Sequence, residues 1–430
     1  MKLAVIGSGV VGVTTAYELT LDGHDVTVFE RRNTVAEECS FANGGLMAPG
    51  WNAFAGANRH HVGALVPWAS GAGALPLIRL PRGTDLGWIW EWLRAGKADR
   101  CADRQRNLHQ LTGYSHDRLR SLTTALQLDY DRTENMLVLW RTEKEQAGAQ
   151  PALRIMADMG WNHQVLSPGQ ARMREPALNA ETALHAALEI SGVASANSRQ
   201  FALQLKSKAQ KLGCRFEFGT TVERLSVNAG PTANVTLTHA PTHTLSGSGT
   251  TARFDGVVVC AGPAGAVLLH RLGLRLPLLP VLGHSISATV REPLDAPLSA
   301  VLDAHQQVSI ARLGQRVRIS GGHQIGQVTG THSTRELKRL YRVLSDWFPG
   351  AASMGGMHGA VQEWQGVQGF LPDGLPVLGP TKLPGLWVNM GHGDCGWSMA
   401  CGSARALADC LRGSAPDMDL AGYNPARFGL

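Results

Sequence analysis

Apolar residues recur with two different periods along this chain, and its opening stretch uses both. Leu3 to Ile6 is an unbroken apolar run suited to a parallel strand buried on both faces. After the glycines of Gly7-Ser8-Gly9-Val10-Val11-Gly12, positions Gly12, Ala16 and Leu19 fall on one helical face, and Gly23 is placed to end that helix. Asp25 to Phe29 then predicts a second strand. Residues 101–190 read as mostly helical, with a strand near Met136 to Trp140. Ser198 to Leu212 predicts a helix and Arg215 to Phe218 a strand. Residues 228–252 are rich in Thr, Ser, Gly and Pro and predict a long polar hairpin. Phe254 to Cys260 is a further buried strand. Between residues 276 and 370, alternating segments such as Ser285 to Val290 and Val317 to Ser320 predict an antiparallel sheet. Thr334 to Phe348 predicts a helix, capped by Ser333 or Thr334. The end repeats the opening theme: a strand Leu386 to Met390, a glycine-rich turn Gly391 to Trp397, and a helix Ser398 to Leu411.

The glycines of the first turn each have a separate task. Gly7 lets the strand turn sharply, Gly9 lets phosphate oxygens approach the backbone, and Gly12 lets helix and sheet pack closely. The helix N-terminus then offers free N–H groups and partial positive charge to a pyrophosphate. Glu30, at the tip of the second strand, can accept hydrogen bonds from both ribose hydroxyls. It would repel a 2′-phosphate, although Arg31 and Arg32 keep NADP open. The second strand–turn–helix unit predicts that both chain ends build one sheet, with another domain inserted. A long cofactor with two ends suits that plan.

Composition narrows the classes. At 430 residues the chain has room for two or three domains, and 44% hydrophobic with 17% charged residues is ordinary for a globular protein. No run approaches the roughly 20 apolar residues that span a bilayer. Lys2 followed by apolar residues resembles a secretory signal, but Gly7, Ser8 and Gly9 interrupt it, so the segment reads as mature sequence. Seven cysteines without a Cys-x-x-Cys pair suggest reduced thiols, and the 16 histidines lack metal-site spacing, so no metal is expected. His239 and His243 fit a surface hairpin. A net charge of +6 suits anionic substrates or a membrane surface as well as plain solubility. Basic residues do not interleave with aromatics, which excludes nucleic acid. Leu86 to Arg100 predicts a helix bearing Trp88, Trp90 and Trp92 and ending in Arg94, Lys97 and Arg100. It can lie on a membrane surface or pack inside. The reading is cytoplasmic, with peripheral contact at the inner face of the membrane kept open.

Three separated segments resemble the flavin-dependent D-amino-acid dehydrogenases of the D-amino-acid oxidase and sarcosine oxidase superfamily. They are Val10-Val11-Gly12 with Gly23-His24; Ser40-Phe41-Ala42-Asn43-Gly44-Gly45 followed by Pro49-Gly50; and Gly391-His392-Gly393 with Gly396-Trp397 and Met399-Ala400-Cys401-Gly402. Pro372-Asp373-Gly374 matches the segment before the last. The resemblance implies an α/β fold: a Rossmann-like FAD-binding domain built from residues 1–50, 195–275 and 375–430. An α+β substrate domain, 51–194 and 276–374, carries a mixed or antiparallel sheet. It implies that Gly7, Gly9, Val10, Val11, Gly12 and Glu30 hold the pyrophosphate and adenine ribose of FAD, with Arg31 near the adenine. Ser40, Asn43, Gly44, Gly45 and Leu46 line the path to the flavin. Val222 meets the adenine, and Ala261 and Gly262 close over the diphosphate. Gly391, His392, Gly393, Asp394, Cys395, Gly396 and Trp397 surround the flavin ring.

One departure bears on substrate. Relatives that oxidise amino acids carry Gly-x-Arg-Pro before Pro-Asp-Gly, and that arginine grips the substrate carboxylate. Here the stretch reads Gly366-Val367-Gln368-Gly369. Losing a charge-assisted bond in a desolvated site costs about 2–5 kcal/mol. Either Arg312 or Arg318 takes over the carboxylate, or the substrate is an amine, an ester or a larger product without one. Met47, Trp51, Arg312, Trp364 and Gln368 are the expected substrate residues. No general base is required, because hydride leaves the amine's Cα for flavin N5. His392 and Gln368 are the candidates for a catalytic part, His392 either tuning the flavin or bracing its turn. The small-molecule amine or amino-acid-like substrate would pass electrons onward to oxygen or a quinone. Rival readings are a NAD-linked reductase and a non-catalytic flavin-binding protein.

Overall fold

The computed structural model describes residues 1–47, 83–95, 98–228, 234–242, 249–325, 333–353 and 361–430. Both ends of the chain meet in one six-stranded sheet, ordered Val377–Pro380, Leu386–Met390, Gly256–Val259, Lys2–Ile6, Asp25–Phe29, Arg215–Glu217. Its strands run parallel except for the first pair. Leu3, Ala4, Val5, Val257, Val258 and Val388 are wholly buried, as strands covered on both faces must be.

The opening helix, Val10–Leu21, lies between this sheet and the closing helix, Gly396–Arg412. It is buried almost all round, so it can carry Glu18 only because that carboxylate is paired. Arg118, on the long helix Ala98–Leu126, donates to it through two nitrogens at 2.7 Å, and Arg405 on the closing helix donates at 2.9 Å. Asp22 and Asp409 hold the other side of Arg405. The long helix also buries His109 and His116, whose rings lie 6.0 and 5.8 Å from that of Trp161. Burial pushes both imidazoles down to about 4.

The second sheet has eight strands, ordered Gln362–Phe370, Leu279–Thr289, Arg316–Ile325, Val308–Leu313, Ala300–Asp303, Arg132–Trp140, Ala186–Ala196, His163–Leu166. It is antiparallel apart from the pairing of Ala300–Asp303 with Arg132–Trp140. The helix Thr334–Trp347 packs its Leu337, Leu340, Val343 and Leu344 on this sheet. Ser333 is its cap position, but the Ser333 side chain makes no capping bond.

One sequence expectation is extended and two need correction. The expected hairpin is the antiparallel pair Asn234–Pro241 and Thr250–Phe254, to which Thr220–Asn228 adds a third strand. In Asn234–Pro241 the alternate residues Val235 and Leu237 are fully buried, an apolar face hidden among threonines. The run Phe254 to Cys260 is two strands in different sheets, split at Asp255, whose N–H donates to the Lys2 carbonyl. The tryptophan-bearing helix is two helices, Gly83–Ala95 and Ala98–Leu126. Trp88 and Trp92 turn inward, with Trp88 Nε1 donating to the Phe370 carbonyl at 3.1 Å. Leu86 and Trp90 face outward, 57% and 58% exposed.

Candidate active site

A cavity of about 630 Å³ opens along the C-terminal ends of the parallel strands. Ligands of open parallel sheets bind at that edge. One end is built by the first turn. Gly7 has φ +96°, and a Cβ there would lie 2.9 Å from Ala261 Cα. A Cβ on Gly12 would meet the Gly7 carbonyl oxygen at 2.0 Å, so Gly12 sits behind the turn and lets it close. Gly9 caps the opening helix without a side chain, and the Val10 N–H donates to Ser40 Oγ at 3.1 Å. Glu30 is 8% exposed, and its carboxylate accepts from Ser8 N–H at 2.7 Å, Ser8 Oγ at 2.9 Å and Arg32 N–H at 2.8 Å. Three donors fix the acid at the strand tip. Arg31 and Arg32 both pair with Glu38, which turns them away from a role as phosphate receivers.

The opposite end comes from the far end of the sequence. Gly391, with φ +80°, sets its backbone flush on Leu371, where a Cβ would come to 2.4 Å. His392 is bridged to Phe370 by backbone pairing, and its Nε2 lies 3.2 Å from Ser403 Oγ. Burial pushes this imidazole down to about 4, so it is neutral and braces the turn onto the closing helix. That helix has no side-chain cap, and Gly396 and Trp397 of its first turn line the cavity. Trp397 is held by Nε1 donating to the Ala196 carbonyl at 3.1 Å. Val222, Ala261 and Gly262 complete the wall, with Val10, Val11, Arg31, Ser40, Asn43, Gly393, Asp394 and Gln368 also lining it.

A second, smaller compartment of about 90 Å³ adjoins through Asn43, Gln368, Asp394 and Trp397. Gly44, Gly45, Leu46 and Cys395 line it from one side; Gln307, Ser309, Ser320 and His323 line it from the eight-stranded sheet. The backbone of residues 43–45 lies flat on that sheet, since a Cβ on Gly44 would reach Ser309 Oγ at 2.8 Å. Asn43 Oδ1 accepts from Ser198 Oγ at 3.1 Å and Gly45 N–H at 3.2 Å. The Gln368 and His323 side chains lie together over Gly283, and the buried Gln368 Oε1 has no hydrogen-bond partner. Burial pushes the Cys39 thiol up to about 12 and the His323 imidazole down to about 4, so both are neutral.

Some expected residues do not converge here. Arg312 donates to the carbonyls of Gly314 at 3.1 Å and Pro293 at 3.4 Å and lines neither compartment. Met47 is 2% exposed in the main apolar core, because its neighbour Leu46 is bridged to Ser195 and draws the chain inward. Trp364 stacks on Phe41, ring centroids 6.4 Å apart, and folds over Gly366. Trp51 lies outside the described residues. Arg318 is buried beneath the site, donating to Ser287 Oγ at 3.0 Å and the Asn43 carbonyl at 3.3 Å, and burial lowers its guanidinium to about 10. Cys39, Asn389 and His323 line the site and were missed. Asn389 Nδ2 donates to Thr15 Oγ1 at 3.1 Å while its buried Oδ1 has no partner. Nothing in its local sequence marks Asn389 off from an ordinary strand residue. Among the described residues, no group of His, Cys, Asp and Glu suits a metal, and no helix is long and apolar enough to cross a membrane.

Comparison with known proteins adds three findings. Residues 2–410 match the family model described as DAO, FAD dependent oxidoreductase. The chain is 34% identical to a D-amino acid dehydrogenase of Cereibacter sphaeroides, covering 100% of this chain and 95% of the relative, and 33% identical to one of Methylobacterium nodulans, covering 100% and 99%. The structure resembles glycine oxidase from Geobacillus kaustophilus, with a TM-score of 0.74 at 20% identity over 99% of this chain and 98% of that one.

Proposed function

The chain belongs to the DAO family of FAD-dependent oxidoreductases, and from that premise we propose that it oxidises the C–N bond of a small amine or D-amino-acid-like substrate. The observation that carries this reading is one cavity flanked by two helices without side-chain caps, Val10–Leu21 and Gly396–Arg412. Uncapped N-termini suit a long ligand with an anionic diphosphate at one of them and, at the other, a ring that gains negative charge on reduction. The residues fit FAD. Glu30 is placed for the ribose, and Gly7, Gly9, Val10 and Val11 for the pyrophosphate, with Gly12 behind them. Val222 suits the adenine, and Ala261 and Gly262 cover the diphosphate. Ser40 with Asn43–Gly45 forms the path to the ring, which Gly391–Trp397 surround.

When bound, FAD supplies a two-electron acceptor that takes hydride at N5. In the substrate, the Cα–H bond breaks, the amine lone pair forms a C=N bond, and one N–H proton is shed. Water then hydrolyses the imine to a carbonyl compound and ammonia. The chain's residues orient the amine and exclude water. His392 and His323 are neutral and buried, which supports a reaction without a strong protein base. Gln368 supplies no charge at the position where the family resemblance leads one to expect arginine, which supports a substrate other than a plain α-amino acid.

The two sheets support the division into a cofactor-binding unit, residues 1–50, 195–275 and 375–430, and a substrate-binding unit, 51–194 and 276–374. Exposed Leu86 and Trp90, with Arg94 4.5 Å over the Trp90 ring, support peripheral membrane contact, and oxygen and a quinone both stand as acceptors. The test is an anaerobic screen of amines followed by readmission of air or quinone. Purified protein is expected to be yellow and to bleach with the right amine. A colourless protein that FAD cannot reconstitute would overturn the reading.

A further inference from the structure

The edge strand of the eight-stranded sheet carries a bare patch that side chains from either side must cover. Along Gln362–Phe370, residues 364, 366 and 368 fall on one face. In the register with Leu279–Thr289, Trp364 stands opposite Ser285, Gly366 opposite Gly283 and Gln368 opposite Val281. Two adjoining positions, Gly366 and Gly283, therefore bring no side chain of their own. Opposed Cα atoms of an antiparallel pair are about 4.5–5.5 Å apart, so the groups covering the two glycines are neighbours. Trp364 covers the first: a Cβ on Gly366 would lie 2.0 Å from the indole Cη2 and 2.6 Å from Cζ2. Gln368 Nε2 and His323 Cδ2 cover the second, 3.9 and 3.8 Å from a Cβ on Gly283. His323 reaches that spot from a bulge, since Leu282 pairs with Gln324 and His284 with Gly321, leaving Gly322 and His323 opposite Gly283 alone.

The indole is held from outside. The Phe41 ring stacks on it with planes 25° apart, and the Arg199 guanidinium lies 4.3 Å over Phe41. Gln368 has a weaker hold. Its buried Oε1 has no hydrogen-bond partner, so packing fixes that end of the amide, and the indole supplies the packing on the Gly366 side. The rest of the small compartment's wall is fastened. Ser309, Ser320 and Gly321 are ladder residues of inner strands, Gly44 lies flat on Ser309 and Ser320, and Trp397 is tied to the Ala196 carbonyl at 3.1 Å. The wall that Gln368 forms is the one whose position depends on a side chain behind it.

We propose that Trp364, without lining the compartment, is a specificity-determining residue that sets how large a substituent the substrate carries. Seated on Gly366, the indole backs Gln368 and keeps the space at about 90 Å³, so amines with small alkyl groups enter and aryl-bearing amines are turned away. Removing the ring gives the Gln368 side chain room to retreat over Gly366, and the compartment grows by the space it leaves. Specificity of this kind comes from a clash built against the larger ligand rather than from a bond to the smaller one. This deepens the oxidation reading above and rests on it for the identity of the site.

The test uses the FAD-loaded full chain and two amines that lack a Cα–H and so cannot be oxidised, tert-butylamine and cumylamine, which differ by a phenyl in place of one methyl. Binding is read from the visible flavin spectrum. The smaller amine is expected to bind at least about tenfold tighter. Trp364→Ala should bring that ratio to one or invert it. Gly366→Ala, which keeps the indole but takes its seat, should move the ratio in the same direction. Equal or tighter binding of cumylamine by the unmodified protein overturns the proposal, as does a spectrum that neither amine perturbs. An unchanged ratio in Trp364→Ala overturns it too; where that variant does not retain FAD, Trp364→Phe decides by the same criterion. Isopropylamine and α-methylbenzylamine are then compared under anaerobic conditions. Faster bleaching by isopropylamine in the unmodified protein, with the order lost in Trp364→Ala, supports the proposal. Bleaching by neither, with the binding ratios as expected, removes the oxidation reading and leaves the size selection standing.

Discussion

Behind the opening helix, Glu18 is fully buried and met by Arg118 at 2.7 Å and Arg405 at 2.9 Å; in the compartment under Gln368, the buried Oε1 meets no protein donor. Both regions are polar and lie inside the molecule; in the first the buried carboxylate has both oxygens met, with only Arg405 Nε left over, whereas in the second the acceptor itself is unmet. Where polar burial serves the fold, the chain supplies both partners from three helices. Where it serves a ligand, one partner is left to come from outside. At a cavity wall the difference matters for binding, since an unmet buried acceptor costs about 1–3 kcal/mol that an arriving donor returns.

Breaking the helix clasp should have the largest effect. Glu18→Leu leaves the half-buried Arg118 without its carboxylate and takes one of three from Arg405, and should lower unfolding free energy by about 3–5 kcal/mol in a urea titration. Gln368→Leu, which removes an unmet acceptor, should cause no loss and should raise stability by up to about 1–3 kcal/mol. Equal losses from the two would erase the contrast. Gly12→Ala comes next. Its Cβ meets backbone at 2.0 Å, so a loss of about 1–3 kcal/mol and of bound flavin is expected. Gly9→Ala meets only Ser40 Oγ at 3.4 Å and should keep the fold while weakening FAD, as read by flavin content.

The smallest effect concerns protons. His116 is buried, and desolvation holds its imidazole down to about 4. Its pKa is lower folded than unfolded, so between the ordinary value near 6.5 and about 4 the unfolded chain binds more protons. Stability therefore falls as pH drops through that window. His116→Gln should flatten the fall by up to about 1.4 kcal/mol per pH unit, measured by urea titration across it.

The legible parts of this molecule are those whose causes are local. Leu3–Ile6, the glycine turn and Asp25–Phe29 need only neighbours in sequence, and Leu386–Met390 with its glycine turn repeats them. The family resemblance carried the rest of the cavity wall. What stayed hidden depends on distant partners. The bulge presenting His323 arises from a register between strands some 40 residues apart. Trp364 looks like a pocket aromatic until Phe41 stacks on it, and Met47 until Leu46 pairs with Ser195. Arg312 reads as a free cation, but the carbonyls that occupy it belong to turns whose geometry the sequence does not display.

The parallel sheet seats Lys2–Ile6 beside Gly256–Val259, and that strand beside Leu386–Met390. On the ribosome, Lys2–Ile6 must therefore wait until Leu386–Met390 has been made before its layer is finished. Colour should appear late in synthesis, and nascent fragments ending before residue 386 should remain pale however much cofactor surrounds them. Chaperone capture during that wait is a foreseeable hazard of having the beginning and the end share one ligand.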